Sequence, residues 1–245
     1  MSSNRSVQQL ALPLQLDDSA TLSNFYVPAD LTNQEVIKVL SAPELPQTTY
    51  LWGGQGAGVS HLLQACCHRM QANTAASSLP AVYFALDQLS EYSPADIFDG
   101  LANMSLICLD HLHAVANSRV WAEQLFHLFN EAQRTGCHLM FGARMSPAYL
   151  ETPLADLASR LASSLVFHVA ELDDEQKAQA LIFRAKHRGI AMPVAVAKYL
   201  LTRETRSAST LFAILDDIDQ ATLEAQRKLT VPFVKQLLVE NEHDK

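Results

Sequence analysis

Gly53-Gly54-Gln55-Gly56-Ala57-Gly58-Val59-Ser60 is the stretch on which the reading of this chain turns. Four glycines in its first six residues let the backbone approach an anion and aim N–H groups inward. The residues before it, 50–52, read as a short apolar strand, and those after it, 59–71, space their apolar side chains as a helix does. Strand, glycine loop and helix in that order form a phosphate cradle, because the helix adds the positive end of its dipole. The pattern for such loops is G-x-x-x-x-G-K-[ST]. Gly53, Gly58 and Ser60 meet it, but Val59 stands where lysine is expected. A phosphate can still bind there. What is lost is the ammonium that reaches the β- and γ-phosphates, and much of its help to γ-phosphate transfer. A glycine-rich turn without a ligand is the plain alternative, and it leaves the order of the three elements unexplained.

Working outward, further short apolar runs at 81–86, 106–109, 138–142 and 165–169 read as buried parallel strands. Helical spacing lies between them at 94–101, 119–134 and 154–162. Such alternation predicts an α/β fold with a five-stranded parallel sheet covered by right-handed crossovers. From about residue 171 the chain reads as helices only. Asp173 and Asp174 supply an N-cap, Gly189 a helix end and Thr230 another N-cap, with helical spacing at 193–201, 208–223 and 231–239. The predicted organisation is a tail over 1–22, an α/β core over 23–170 and a small helical bundle over 171–245.

The run Leu106-Ile107-Cys108-Leu109-Asp110-His111 fits a buried strand that delivers Asp110 to a Mg²⁺-bound water, with Ser60 as the hydroxyl ligand. ATPases of this kind commonly place a second acid after the first, and His111 stands there instead. Neutral imidazole can act as a base, but histidine is equally at home at a strand end. On a strand, His111 and His113 would share a face and could bind a metal, although no third ligand is evident. Cys66 and Cys67 point two ways from one helix and read as packing.

The bulk composition agrees with an ordinary globular chain. Of 245 residues, 49% are apolar and 18% charged, and the net charge is −8. That acidic balance disfavours a broad DNA-binding face, which needs concentrated Lys and Arg. Four cysteines without a C-x-x-C pattern fit a reducing cytosol. No apolar run approaches the ~20 residues of a membrane span, and the polar start is unlike a secretory signal.

Several segments together carry a resemblance. Asp156-Leu157-Ala158-Ser159-Arg160-Leu161, Arg203-Glu204-Thr205-Arg206, Asn24-Phe25-Tyr26-Val27 and the run from Gln226 to Lys235 accompany the glycine loop. With them the chain resembles AAA+ proteins of the bacterial replication-initiator clade, and most of all their regulatory members homologous to the initiator DnaA. The resemblance spans almost the whole sequence. It implies an AAA+ P-loop core followed by a helical lid. It places Arg160 as an arginine finger acting in trans and Arg206 as the sensor-two arginine. Asn24, Phe25, Tyr26 and Val27 would line the base, with Gly53, Gly54, Gln55, Gly56, Ala57, Gly58, Val59, Ser60 and His61 around the phosphates. From the residues alone, Arg160 is equally a surface arginine paired with Asp156 at i−4, and Arg206 a solvated lid residue.

Two departures from the family pattern stand out. Val59 replaces the usual basic residue, and the sensor-one segment Gly142-Ala143-Arg144-Met145 has Arg144 where Asp or Asn is expected. Both weaken self-catalysed hydrolysis and leave nucleotide binding possible. The expected ligand is therefore a nucleoside diphosphate of undetermined base, with Mg²⁺, held as a structural ligand between core and lid.

In the tail, Gln9-Leu10-Ala11-Leu12-Pro13-Leu14 resembles peptides that dock into the bacterial sliding clamp. Gln9 supplies a directional amide, Leu10, Leu12 and Leu14 fill apolar pockets, and Pro13 lowers the ordering cost. A full initiator continues past its lid into a basic helix-turn-helix domain. Here the sequence reaches an acidic stretch at 240–244, so direct origin recognition is not expected and DNA would be reached through the clamp. The resemblance thus implies a cytoplasmic bacterial adaptor, brought to the nucleoid by the clamp. It would promote hydrolysis of DnaA-bound ATP and so restrain replication initiation, with a homodimer also plausible. The competing readings are an active ATPase such as a helicase loader or remodeller, and a nucleotide-independent clamp-binding scaffold.

Overall fold

The computed structural model describes residues 20–28, 33–72, 79–203, 214–215, 218 and 229–243. Five strands build one parallel sheet: β1 (Thr48–Trp52), β2 (Ala81–Ala85), β3 (Leu106–Asp110), β4 (His138–Ala143) and β5 (Leu165–His168), in the order β2-β3-β4-β1-β5. The runs read from the sequence agree with these strands to within two residues at either end. β5 is the exception in burial. It lies at the sheet edge, Leu165 is 43% exposed, and it is not the buried strand that its apolar run suggests.

Strand alternation sends side chains to two cores. On one face Tyr50, Ile107, Leu109, Leu139 and Phe141 pack under α3 (Pro94–Phe98), α4 (Arg119–Thr135) and α5 (Ala155–Ala162). On the other, Leu51, Tyr83, Leu106, Cys108 and Met140 pack under α1 (Asn33–Leu40) and α2 (Val59–Ala72). Helix α1 is absent from the sequence reading; its Val36 and Leu40 are buried in this second core. Cys66 and Cys67 are both buried there, and burial pushes the Cys66 thiol up to about 12, which fits packing rather than reactivity.

After the sheet the chain is helical in every described element. Helix α6 (Asp174–His187) opens on a capping box in which Asp173 and Gln176 satisfy one another's backbone N–H groups. Gly189 follows with φ of 79°, the left-handed turn that ends the helix. Then come α7 (Val194–Arg203) and α8 (Val231–His243), the latter capped by Thr230, whose hydroxyl accepts from the Phe233 N–H at 3.5 Å. Leu181, Ala197, Leu200, Leu215, Ile218 and Val234 form a third core of their own. Most of the predicted helix over 208–223 lies outside the described residues. Among the described residues no helix is long and apolar enough to cross a membrane.

Candidate functional site

The carboxyl ends of β1, β3 and β4 meet the amino end of α2. Leaving β1, Gly53 donates to the Ala143 carbonyl at 3.2 Å, and the loop turns at Gly56 and Gly58, with φ of 88° and 97°. These values lie in the left-handed region that side chains with a Cβ resist. Leu62 then donates to the Gly58 carbonyl at 3.0 Å, and α2 begins. The loop has close neighbours on both sides. A Cβ on Gly58 would sit 2.6 Å from the Phe25 ring, and one on Gly53 would sit 2.5 Å from the Val169 carbonyl oxygen.

Phe25 belongs to the segment expected to line the base. Its ring lies 5.7 Å from that of His61, whose Nε2 is 2.9 Å from the Thr21 carbonyl. Tyr26 reaches the other way, with its ring 5.7 Å from Phe183 on α6. The structure therefore brings Phe25, Tyr26, His61 and the glycine loop to one place, with the first lid helix beside them.

Asp110 ends β3 on the α2 face and is 1% exposed. Its Oδ1 accepts the His111 N–H at 2.8 Å and its Oδ2 accepts the Tyr83 hydroxyl at 2.9 Å. Burial, then the neighbouring Asp110 carboxylate, raise the Tyr83 phenol well above its ordinary value. Gly142 is small because Asp110 Oδ1, Leu63 and Val59 all press on the space a Cβ would fill, at 2.5, 2.7 and 3.0 Å. Val59 is thus a core residue beside Asp110, 8% exposed. Ser60, next in α2, is half-buried.

His111 departs from the strand reading. It leaves β3 with φ of 55°, the one non-glycine residue with positive φ among those described, and starts a 3₁₀ turn, Leu112–Ala114. Its Nδ1 lies 2.7 Å from Asp87 and its Nε2 3.6 Å from Asp110. His113 is therefore not a same-face strand neighbour, and its ring sits 5.9 Å away. Burial, and then the Arg144 guanidinium and His111, hold the His113 imidazole below its usual value. Among the described residues no group of three or more His, Cys, Asp or Glu side chains could hold a metal. Mg²⁺ beside phosphates needs few protein ligands, so Ser60 and Asp110 remain sufficient in kind.

Arg160 lies elsewhere. It sits at the end of α5, just before β5, hence at the amino edge of a sheet whose carboxyl edge carries the loop. The five residues of β1 separate the two edges by roughly 16 Å at ~3.3 Å per residue. Its guanidinium stands 5.7 Å over the Phe129 ring, and Nη1 donates to Gln133 Oε1 at 3.4 Å. These α4 contacts stand in place of the Asp156 pairing considered from the sequence. Gln9, Leu10, Leu12, Pro13, Leu14 and Arg206 lie outside the described residues.

Two model families match this chain. The bacterial DnaA ATPase domain matches residues 23–168, more than half of the sequence, and the Hda lid domain matches residues 174–238. The chain is a DnaA-related AAA+ protein of the Hda family. Its core is accordingly of the nucleotide-binding DnaA type. Solved structures agree in fold. Domain III of the Thermotoga maritima initiator DnaA superposes with a TM-score of 0.71 at 18% identity, covering 92% of this chain and 98% of that one. AMPPCP-bound DnaA from Aquifex aeolicus gives 0.65 at 19% identity, covering 82% and 65%. The RuvB branch migration motor of Thermotoga maritima gives 0.56 at 12%, covering 84% and 67%.

Within this Hda-family core, sequence reading missed four residues that shape the site. Tyr83 and Asp87 approach Asp110 and His111 from β2 and the turn after it, and only strand order brings them there. Asn33 and Glu171 lie at the joint between core and lid. The Asn33 amide donates to and accepts from the Ala170 backbone at 3.1 and 2.8 Å, across 137 residues of sequence. Glu171 lies against Gly54. The one available signal is the second glycine of the loop, which marks a close approach without naming its partner.

Proposed function

We propose that this Hda-family protein is a clamp-tethered adaptor that promotes hydrolysis of ATP held by DnaA, and so restrains replication initiation. The observation that carries the reading is the placement of Arg160. A guanidinium at the amino edge of the sheet is too far to serve a phosphate loop at the carboxyl edge of the same molecule, which supports an action on another molecule's nucleotide. Resting on the Phe129 ring, it is half-buried, and release from one 3.4 Å hydrogen bond frees it to extend. Planted beside a transferring phosphoryl group, it stabilises the charge of the transition state.

The protein's own loop has a different task in this proposal. The Gly53–Ser60 backbone binds the diphosphate of a nucleotide, Phe25, Tyr26 and His61 border the base, and Arg206 would reach the phosphates from the lid. Ser60 and Asp110 would hold Mg²⁺, which screens phosphate charge when bound. With Val59 packed into the core, no ammonium assists γ-phosphate transfer, and His111 is engaged by Asp87 where a water-polarising acid would stand. The ligand then serves as a wedge that sets core against lid.

The decisive experiment measures hydrolysis of DnaA-bound ATP with DNA-loaded clamp, comparing wild type with Arg160→Ala. Stimulation by the wild type alone supports the adaptor; stimulation by neither removes it. The tether is tested separately. Replacing Gln9 and Leu12 with alanine is expected to abolish capture by the clamp in a pull-down while leaving the melting temperature unchanged, because six residues are too few to build a core. Retained capture would refute the tether.

A further inference from the structure

Tyr83 lies outside every motif that the nucleotide reading uses, yet it touches the buried acid of that site. It stands on β2 opposite Cys108, and Asp110 follows two residues further along β3, so both side chains leave the sheet on the α2 face. The ring is buried in the α2 core, and its hydroxyl donates to Asp110 Oδ2 at 2.9 Å. A phenol has one proton to give. Its oxygen is hydrogen-bonded by the Gln64 side chain on α2, the helix that starts at the phosphate loop. With its acceptor side engaged by Gln64, the hydroxyl is turned toward Asp110.

The other carboxylate oxygen is held independently. Oδ1 accepts the His111 N–H at 2.8 Å, which the left-handed turn at His111 aims back at the preceding side chain. Gly142 leaves the space that Oδ1 needs, since a Cβ there would come within 2.5 Å of it. One donor on each oxygen fixes the rotation of the carboxylate about its Cβ–Cγ bond. An ionised carboxylate offers about four lone-pair sites, so those left over point in set directions.

We propose that Tyr83 is a positioning residue for Mg²⁺: it holds Asp110 in the orientation that receives a Mg²⁺-bound water beside the phosphate loop. The proposal rests on the reading that the loop holds a nucleotide and that Asp110 serves its Mg²⁺. Without the hydroxyl, Oδ2 loses its donor, and the His111 N–H pins the carboxylate at one oxygen only. Through Gln64 the same hydroxyl also ties the acid to the helix that carries the loop. Hydrogen-bond partners behind a metal ligand typically set roughly 10–100-fold in metal affinity. Asp110 would reach the ion through water, which places the effect at the lower end, about tenfold. Binding of the nucleotide without metal does not feel the change, because backbone N–H groups and the α2 dipole hold the phosphates.

The test is a Mg²⁺ titration of the full-length protein with a fluorescent ADP analogue. It reads the Mg²⁺ concentration at half-effect and, separately, the affinity for the analogue in EDTA. Tyr83→Phe keeps the ring in the α2 core and should raise the half-effect concentration about tenfold, with the EDTA affinity unchanged. A purely structural role would move the melting temperature and leave the Mg²⁺ midpoint where it was. Gln64→Met keeps the phenol but frees it to turn, and should shift the midpoint in the same direction by less. In an Asp110→Asn background, adding Tyr83→Phe should change nothing further. An unmoved midpoint in Tyr83→Phe, or in Gln64→Met should Tyr83→Phe not fold, would overturn the proposal. A tenfold shift that persists in the Asp110→Asn background would do the same, because Tyr83 would then act through another group. Analogue binding by wild type with no Mg²⁺ dependence would remove the Mg²⁺ role of Asp110, and the proposal with it, while leaving the nucleotide site standing. No binding by wild type would overturn the nucleotide reading itself.

Discussion

At the carboxyl edge of the sheet, the loop is made by backbone and buried contacts. Left-handed glycines, a ring packed on Gly58, and Asp110, Val59 and Leu63 crowding Gly142 leave little room for change. At the amino edge, Arg160 is a single half-buried side chain lying on Phe129 and Gln133. The first edge is a receptacle that the fold cannot easily do without. The second is a tool that the fold merely carries. On the proposed function, holding a nucleotide and acting on one are separable in this molecule, and substitutions at the two edges should differ in what they spare.

The largest separation is expected from Arg160→Ala. Loss of a transition-state guanidinium costs roughly 10³–10⁵ in rate in other NTPases, so stimulation of DnaA-bound ATP hydrolysis should fall by about 10³ or more. The fold loses one cation–π contact worth about 0.5–1 kcal/mol, which in a chain of this size moves the melting temperature by less than ~4 °C. A large drop in melting temperature would show that Arg160 is structural, and the contrast between the edges would fail.

Gly58→Ala should do the reverse. The methyl must adopt φ near 97° and push the Phe25 ring aside, at a cost of about 2 kcal/mol and a melting decrease of roughly 4–8 °C. Nucleotide binding should go with it, whereas partner contact through Arg160 should persist. Thermal denaturation and a DnaA pull-down on one preparation check both halves.

How much of this was legible in the sequence follows from how each part is encoded. The loop is a local pattern, and its glycines, the strand before it and the helix after it stand in one short run, so the architecture could be read outward from it. Asp173, Gly189 and Thr230 also act within three or four residues, and each caps or ends a helix as read. Pairings across the sheet could not be read. Asn33 meets Ala170, Tyr83 meets Asp110 and Arg160 meets Gln133 only because strand order brings distant segments together. β5 misled because an apolar run does not say how far its two faces are covered: β2 is an edge strand too, yet it is largely buried where β5 is not. His111 misled because a positive φ in a non-glycine residue turned the chain before the strand period could apply.

The smallest expected effect, and the one that probes the receptacle most directly, comes from Val59→Lys. Val59 is 8% exposed and its Cγ1 shares the space above Gly142 with Asp110, so the stem of a lysine would follow the same wall toward the loop. Restoring the ammonium should tighten triphosphate binding by about tenfold through charge-assisted contacts. The lost valine contacts cost about 1–2 kcal/mol of stability. Calorimetry showing no gain would mean that the loop does not face a phosphate. Turnover should not follow the gain in affinity, because His111 stands after Asp110 with its ring nitrogens toward Asp87 and Asp110. Steady hydrolysis by Val59→Lys that is abolished by Asp110→Ala would show a receptacle one residue short of an ATPase, and the division of labour between the two edges would then rest on Val59 alone.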